Sequence, residues 1–369
     1  MSYDIALLPG DGIGPEVVAE GVRVLERVAE VSGGEVDLEL ETFDVGAGTW
    51  QRTGEAISDE TYAACEKSDA ILLGAVGLPD ARHPDGREAG PDAQFRLRFG
   101  LDLFAGIRPI RLYPGAPTPL RRTDAGIDYV IVRENTEGLY AGRPGGSRVE
   151  GEVVADTGIV TRAGTTRIAQ RAFELAERRA GAPADGVSRV TCVDKANVLA
   201  SYAFFREVVT DVSAAYADIE LETAYVDAAA LHLVQRPSHF DVIVAENMFG
   251  DILSDLGAAT IGGLGLAPSG DVGDWNGLFQ ASHGSAPDIA GTGSANPLAT
   301  ILSVSLMLAW LGRRDDDDAM ARAGGWIEAA VQTSIANGSA LTRDLGGAAG
   351  TTAAGDAVLT ALDGVVGAA

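Results

Sequence analysis

Two aspartates one helical turn apart stand out in the segment Phe249-Gly250-Asp251-Ile252-Leu253-Ser254-Asp255. If this segment is helical, Asp251 and Asp255 share a face, where like charges repel by about 0.2–0.5 kcal/mol and favour a neighbouring cation. Asp227, at the end of a predicted strand, adds a third carboxylate. Carboxylate oxygens suit Mg²⁺ or Mn²⁺. The three aspartates therefore indicate either a divalent-metal site or an ordinary acidic helix start.

Basic side chains provide a second set of candidates. Arg98, Arg108 and Arg133 flank apolar segments, and arginine forks bind carboxylates through paired hydrogen bonds. They fit a di- or tricarboxylic acid, or else are ordinary surface arginines. Lys195 follows a predicted strand; beside a metal, a partly buried ammonium loses its proton more readily and could act as a base. The alternative is a solvated or ion-paired lysine. His232, on a predicted helix, is interpreted as a packed or surface histidine.

The elements that must position these residues alternate between strand-like and helix-like stretches, which predicts an α/β fold. Strands are predicted at 4–8, 36–43, 70–74, 129–132, 189–194, 220–226 and 241–246. Helices are predicted at 16–31, 94–103, 199–217 and 357–362. Two loops rich in Gly and Pro, 77–91 and 143–150, interrupt this alternation, and the second is expected to extend into an arm or hairpin through Val160.

The first strand and helix are joined by Leu8-Pro9-Gly10-Asp11-Gly12-Ile13-Gly14-Pro15-Glu16. A dinucleotide-binding fingerprint has the spacing G-x-G-x-x-G, whereas this segment has G-x-G-x-G. The spacing therefore predicts a tight strand-to-helix turn and not a conventional pyrophosphate loop.

Composition narrows the classes of partner and compartment. The 53 acidic and 28 basic residues give a net charge of −25, which disfavours nucleic acid and anionic membranes as partners. The longest nearly continuous apolar run, 301–311, is too short to cross a bilayer, and no export signal is apparent, so a cytoplasmic protein is expected.

Lys67 and Lys195 are the only lysines. The acidity indicates either a halophilic source or codon drift. Cys65 and Cys192 are expected to be free, buried thiols.

Five motifs together resemble the signatures of the β-decarboxylating dehydrogenases. That family comprises isopropylmalate, isocitrate, homoisocitrate and tartrate/D-malate dehydrogenases. The motifs occur in order along nearly the whole chain: the Leu8 to Glu16 segment above, Val132-Arg133-Glu134-Asn135-Thr136-Glu137-Gly138-Leu139-Tyr140, Asp194-Lys195-Ala196-Asn197, Asn247-Met248-Phe249-Gly250-Asp251-Ile252-Leu253-Ser254-Asp255 and His283-Gly284-Ser285-Ala286-Pro287-Asp288-Ile289-Ala290-Gly291.

The resemblance implies an α/β, isopropylmalate-dehydrogenase-like two-domain fold that is not a Rossmann fold. Residues 1–103 and 262–369 would form the first domain, on the NAD side. Residues 104–261 would form the second domain, with the dimerisation arm and the metal aspartates. The implied assembly is a homodimer with shared active sites, each in a cleft between domains.

The resemblance also implies roles for the candidate residues. Arg98, Arg108 and Arg133 would hold the malate carboxylates, Tyr140 would donate a proton, and Asp251 and Asp255 would hold Mg²⁺ or Mn²⁺. The partner subunit would supply Lys195 as the base, Asn197 as a substrate contact and Asp227 as a catalytic and metal-binding residue.

Cofactor contacts are implied mainly in and after the loop that begins at His283. Asp288 would accept hydrogen bonds from a ribose diol and repel a 2′-phosphate, so NAD is expected in preference to NADP. Asn296 would contact the adenine, and Glu137 the nicotinamide amide. The implied set is His283, Gly284, Ser285, Ala286, Asp288, Asn296 and Glu137.

The residues before Arg98 would face the variable group of the substrate. Isopropylmalate enzymes carry a leucine pair four and three positions before this arginine, where this chain has Gln94 and Phe95. Isocitrate enzymes carry serine and asparagine six and four positions before it, where this chain has Asp92 and Gln94. Similarity of the stretch 189–199 to isopropylmalate enzymes favours oxidative decarboxylation of 3-isopropylmalate, in leucine biosynthesis. Tartrate or D-malate, then isocitrate or homoisocitrate, remain alternatives. A non-catalytic metal-binding or scaffold protein is disfavoured because Tyr140 and Lys195 are present.

Overall fold

The computed structural model describes residues 2–143 and 145–367, and the chain divides into two compact units. The first contains the N-terminal part to Leu103, Tyr113–Pro117 and the C-terminal part from Gly262. The second contains Phe104–Leu112 and Thr118–Ile261. Within 104–261, the range predicted for the second domain, Tyr113–Pro117 groups with the first unit. The hydroxyl of Tyr113 donates to Glu328 Oε1 at 3.2 Å, which fastens this segment to a helix of the first unit.

The strands, in chain order, are β1 (Ser2–Gly10), β2 (Asp37–Thr42), β3 (Ala70–Ala75), β4 (Ala105–Arg111), β5 (Asp128–Glu134), β6 (Ser147–Val149), β7 (Val153–Ala155), β8 (Arg189–Asp194), β9 (Glu220–Tyr225), β10 (Val242–Ala245), β11 (Pro268–Val272) and β12 (Gly277–Ala281). The α-helices are α1 (Gly14–Val31), α2 (Ala47–Thr53), α3 (Asp59–Lys67), α4 (Pro91–Gly100), α5 (Arg162–Arg178), α6 (Ala200–Ser213), α7 (Val226–Gln235), α8 (Asn247–Thr260), α9 (Leu298–Arg314), α10 (Asp318–Ala336) and α11 (Thr351–Val366). The predicted α/β alternation is therefore confirmed.

In the first unit the strands follow the order β2-β1-β3-β12-β11. Strand β1 pairs in parallel with β2 and β3, β12 pairs in parallel with β3, and β11 runs antiparallel to β12. Every residue of β3 is buried, because a parallel strand covered on both faces is apolar throughout. Helix α9 is almost completely buried as well, which explains the apolar run 301–311 as a core helix.

In the second unit the strands follow the order β4-β5-β10-β8-β9. Strands β5, β10, β8 and β9 are parallel to one another, and β4 is antiparallel to β5. Strands β6 and β7 form a separate two-stranded hairpin, within the region where an arm was expected. Its valines Val149, Val153 and Val154 are more than half exposed, at 56%, 57% and 64%. An isolated hairpin is marginally stable in water, so a covering partner would stabilise these strands.

The structure confirms one predicted connection and shifts two predicted boundaries near candidate site residues. The tight turn after β1 is confirmed, since only Asp11 to Ile13 separate β1 from α1. Helix α4 ends at Gly100 and not at residue 103, because Asp102 adopts a positive φ of 47° that a helix cannot accommodate. Strand β9 ends at Tyr225, so Asp227 lies in the first turn of α7 and not at a strand end.

Two further expectations concern the interior and the membrane. Cys65 and Cys192 are buried and free, as predicted, and burial raises the pKa of the Cys65 thiol to about 12. Across residues 2–143 and 145–367, no helix combines the length and the apolar character needed to cross a membrane.

Candidate active site

The candidate site of the second unit is centred on Arg133, the next-to-last residue of β5. Its side chain is buried, with 3% of the residue exposed. Nε and Nη2 both donate to Asn247 Oδ1, at 3.1 and 2.7 Å, while Nη1 donates to Asp251 Oδ1. Asn247 and Asp251 lie one turn apart at the start of α8, so the arginine fork fastens the end of β5 to this helix.

Close approach between β5 and α8 depends on Gly250. A Cβ atom added at this position would lie 2.8 Å from both Cβ and Cγ of Arg133. Tyr140 lies in a short 3-10 turn. Its hydroxyl donates to Asp251 Oδ2 at 3.4 Å, and Arg133 Cζ lies 5.7 Å from the centre of its ring. The structure thus brings together Arg133, Tyr140 and Asp251, three of the residues selected from the sequence.

Asp251 and Asp255 lie one turn apart on α8. Partial burial of the Asp255 carboxyl raises its pKa, and the charge of Asp251 raises it further. Arg108 and Arg133 act in the opposite direction, which locates the buried Arg108 close to the same carboxyl. A divalent cation with oxygen ligands would relieve this repulsion, so the two aspartates fit such an ion.

Lys195 and Asp227 form a separate pair in the second unit. Lys195 Nζ donates to Asp227 Oδ1, and this bond lowers the pKa of the Asp227 carboxyl. Buried Asp194 shapes the turn, accepting from Ala196 N at 2.8 Å and from Arg206 through two bonds of 2.7 Å.

Within the described part of one chain, this pair does not complete the site around Arg133. Neither Lys195 nor Asp227 forms a hydrogen bond or ion pair with Asp251 or Asp255. No group of three His, Cys, Asp or Glu side chains among the described residues is placed to hold a metal. Asn197, two positions after Lys195, is exposed.

Arg98, Gln94 and Phe95 lie on α4 in the first unit. Arg98 is buried and donates to Asp271 Oδ2 from Nε at 3.2 Å and from Nη2 at 2.8 Å. Gln94 Nε2 donates to Gln280 Oε1 at 3.3 Å. The ring of Phe95 lies 5.6 Å from Arg98 Cζ, so this face of α4 combines a buried cation, an amide and an aromatic ring.

His283 carries an unsatisfied ring nitrogen. Burial lowers the pKa of its imidazole. Nδ1 lies 3.0 Å from the Gly284 carbonyl oxygen, so Nδ1 carries the proton and Nε2 is an acceptor. Within residues 2–143 and 145–367, Nε2 is buried and has no hydrogen-bond partner. Such a buried acceptor needs a donor that the described residues do not supply, either a water molecule or a group of a ligand.

The other residues selected for the cofactor have varied surroundings. Gly284 and Asp288 are exposed, and Ala286 adopts a positive φ of 37°. Asn296 is buried; its Nδ2 donates to Asp344 Oδ2 at 2.9 Å and its Oδ1 accepts from Leu298 N at 3.0 Å. Glu137 lies in the second unit, where its carboxylate accepts from Thr161 N at 2.9 Å, at the start of α5.

Sequence reasoning missed three polar residues that support these groups. Asn247 holds the Arg133 fork, Asp271 pairs with Arg98, and Glu16 accepts from Gly291 N and Gly293 N. Asn247 and Glu16 stand inside the motifs quoted above, so their position was a signal. Asp271 offered no such signal, because β11 reads Pro-Ser-Gly-Asp-Val; only its complete burial in the fold demands a cationic partner.

Comparisons with known proteins give a consistent family assignment. The family model described as isocitrate/isopropylmalate dehydrogenase matches residues 4–358. A protein of Zymomonas mobilis named 3-isopropylmalate dehydrogenase is 43% identical over 97% of this chain and 99% of its own length. One of Thermobifida fusca with the same name is 46% identical over 84% of this chain and 87% of its own. The crystal structure of isocitrate dehydrogenase from Methylococcus capsulatus has a TM-score of 0.85 at 34% identity, covering 98% of this chain and 99% of that one.

Proposed function

Because the chain belongs to the isocitrate/isopropylmalate dehydrogenase family and is therefore an oxidoreductase, we propose that it oxidatively decarboxylates 3-isopropylmalate with NAD and a divalent cation. The products are 2-oxo-4-methylpentanoate and CO₂, in leucine biosynthesis. The names of its relatives support the substrate. The observation that carries the chemistry is the cluster in which Asp251 contacts both Arg133 and Tyr140.

The carboxylate-binding groups are assigned first. Arg108 and Arg133 are buried cations beside the paired aspartates of α8, and the sequence motif assigns the same role to Arg98. Guanidinium groups held by neighbours lose little freedom when they bind a carboxylate. Mg²⁺ or Mn²⁺ held by Asp251, Asp255 and Asp227 would supply Lewis acidity to the substrate oxygen.

Two side chains are assigned the proton transfers. Lys195 would take the proton from the substrate hydroxyl at its Nζ, because lysine can become neutral whereas arginine cannot. Bound NAD would supply the hydride acceptor. After CO₂ leaves, the carbon that carried it must gain a proton. Tyr140 supplies this proton from its hydroxyl, which already lies 3.4 Å from Asp251 Oδ2.

NAD is assigned to the loop that begins at His283, and the sequence motif assigns to Glu137 a contact with the nicotinamide amide. The unsatisfied Nε2 of His283 supports a nucleotide ligand. Asp288 is exposed and would repel a 2′-phosphate while accepting from a ribose diol, which favours NAD over NADP. Asn296 would reach the adenine through the amide hydrogen that Asp344 leaves free.

We assign the assembly as a homodimer in which Lys195, Asn197 and Asp227 serve the partner's site. The exposed apolar side chains of the second unit support a covered surface: Val198 at 66%, Leu231 at 53% and Ile252 at 60%, together with the valines of the β6–β7 hairpin. Ile252 lies next to Asp251, and Val198 next to Asn197. Covering these residues would therefore bring a second subunit to the paired aspartates.

One observation favours a second substrate. Gln94 presents an amide, bonded to Gln280, where an isopropyl group would require apolar contact. This polar surface would accommodate D-malate or tartrate, which lack a branched apolar group. Because one similar structure is that of an isocitrate dehydrogenase, isocitrate is also tested as a substrate.

A substrate panel tests the proposal. Production of NADH with Mn²⁺ is followed by absorbance for 3-isopropylmalate, D-malate, tartrate and isocitrate. We expect kcat/KM for 3-isopropylmalate to exceed that for D-malate, and EDTA to abolish turnover. Preference for D-malate or tartrate would reject the substrate while retaining the reaction class. Turnover unaffected by EDTA would reject the metal assignment.

A further inference from the structure

Gly77, two positions after β3, is hydrogen-bonded through both of its backbone polar groups. Its N–H donates to Asp11 Oδ2 at 2.7 Å, and its carbonyl oxygen accepts from Ser285 Oγ at 2.5 Å. Its φ of +126° lies in a region that side-chain-bearing residues rarely adopt. Both bonds are buried, so the two side chains fix the orientation of this residue.

Asp11 connects Gly77 to the start of α2. Besides Gly77 N–H, its carboxylate accepts from Ala47 N at 2.7 Å and from Gly48 N at 2.8 Å. Burial of this carboxylate becomes unfavourable if any of the three backbone N–H groups moves out of hydrogen-bonding distance. Asp11 thus acts as a fixed anchor on one side of Gly77.

Ser285 connects Gly77 to the loop 283–291. Its carbonyl oxygen accepts from Ile13 N at 2.8 Å, and Ala286, Ile289 and Ala290 of the same loop pack on Ile13 and Val17. The loop is therefore braced against the beginning of α1. The Ser285 hydroxyl donates the hydrogen bond that links this loop to the Gly77 carbonyl oxygen.

Gly77 in turn contacts the beginning of α4. A Cβ atom added at Gly90, the residue before α4, would lie 2.6 Å from both N and Cα of Gly77. His83 Nε2 lies 2.6 Å from Asp92 Oδ2, which ties the loop 77–90 to the first turn of the helix. A shift of Gly77 would therefore change the packing at the beginning of the helix that carries Arg98.

From these contacts we propose that Gly77 is a joint through which the loop 283–291 positions α4, with Asp11 and Ser285 as the positioning residues. The inference rests on the proposed function, since the loop is assigned to NAD and α4 to the dicarboxylate. Binding of NAD to the loop would restrain Ser285, and through Gly77 would favour the position of α4 that binds substrate. The joint thus couples the affinities for the two ligands.

Hydrogen–deuterium exchange tests the joint without turnover. In Ser285→Ala, peptides covering 77–90 should exchange about tenfold faster than in wild type, because one buried hydrogen bond is lost. Saturating NAD should slow these peptides in wild type and much less in the variant. The matched control is Ser305→Ala, which removes another buried hydroxyl of the first unit, bonded to Gly324 O at 2.8 Å, and should leave 77–90 unchanged.

The outcomes separate the two proposals. Unchanged exchange of 77–90 in Ser285→Ala would overturn the joint. Faster exchange in the variant, with no effect of NAD on wild type, would count against the assignment of NAD and still support the joint.

Kinetics give a second test. Ser285→Ala should raise KM for the dicarboxylate about fivefold even at saturating NAD, a change that loss of an NAD contact alone would not produce. Gly90→Ala, which forces Gly77 to move from the α4 side, should raise the same KM at saturating NAD. An unchanged KM in both variants would contradict the proposal.

Discussion

Arg133 shows how a single buried cation organises the candidate site at the residue scale. Its guanidinium donates to Asn247 and to Asp251, and the ring of Tyr140 lies beside it. A lysine could not replace it, because a point charge lacks the planar fork that reaches two residues at once. Orientation of Asp251 therefore depends on an arginine that the proposed mechanism also assigns to the substrate.

Asp251→Asn should abolish NADH formation while leaving the fold intact. The amide oxygen can still accept from Arg133, but the negative charge that would hold a divalent cation is lost, and such an ion supplies several kcal/mol, or about 1000-fold in rate. Turnover with Mn²⁺ and the melting temperature are measured together. Asp218→Asn, at an exposed position of the same unit, is the control and should retain activity. Substantial activity in Asp251→Asn would remove this residue from the metal site.

The Lys195→Arg variant keeps the positive charge at this position and removes the ability of the side chain to accept a proton. The variant can keep its ion pair with Asp227, yet arginine cannot release its proton, so kcat should fall by about 10²–10⁴-fold. Lys67→Arg changes the only other lysine, at the exposed end of α3, and should have wild-type kcat. If both variants turned over equally fast, Lys195 would not be the base.

At the scale of elements, α4 is the proposed determinant of substrate choice. It begins at Pro91, whose ring suits the first helical turn, and it ends where Asp102 adopts a positive φ. Between these limits Gln94 and Phe95 precede Arg98 by four and three positions, so they lie within one turn of it. Arg98 is fixed by Asp271, and Gln94 and Phe95 are the residues proposed to meet the variable group.

Phe95→Ala should lower kcat/KM for 3-isopropylmalate by about 10- to 200-fold, with D-malate little affected. The reason is that Phe95 would supply most of the apolar contact to the isopropyl group, while malate has no such group. Steady-state kinetics on both substrates give the comparison. Phe99→Ala, one turn further along and partly exposed, should change neither substrate selectively. An equal loss on both substrates would show that Phe95 supports α4 and does not select the substrate.

On the scale of the whole molecule, the proposed dimer makes the two sets of site residues complementary. Lys195 and Asp227 form no bond to the aspartates of α8 in the described part of one chain. A second copy would supply them if its Lys195 side faced this helix. A symmetric dimer has two equivalent sites, so defects on opposite sides of the interface can be separated.

Mixing Lys195→Ala with Tyr140→Phe subunits should therefore restore activity. Each hybrid dimer would contain one site with both defects and one intact site, so random exchange should restore about a quarter of wild-type activity. Subunit exchange is verified by mass spectrometry of differently tagged chains. Absence of rescue despite exchange would mean that each site is built within one chain.

Net charge is the second property of the whole molecule. A charge of −25 opposes compaction by self-repulsion, and salt screens it. The melting temperature should rise from low to molar KCl, even though exposed ion pairs such as Arg162 with Asp211 weaken slightly. A melting temperature independent of salt would contradict adaptation of this surface to high salt.

Local sequence specified the features that depend on nearest neighbours. The alternation of elements, the tight turn after β1, the buried thiols and the placement of Asp251 and Asp255 on one helix face all follow from spacing and polarity along the chain. These features could be predicted because hydrogen bonds within helices and the packing of apolar faces repeat with fixed periods.

Tertiary structure alone decided which distant side chains meet. The fork from Arg133 to Asn247 joins residues 114 positions apart, and the bond from Arg98 to Asp271 joins residues 173 positions apart. Likewise, the link from Ser285 to Gly77 spans 208 positions. No periodicity encodes these partners, since strand order determines them and strands adjacent in a sheet are often distant in sequence. The chain supplies each polar group locally, and the fold selects the partner that makes its burial stable.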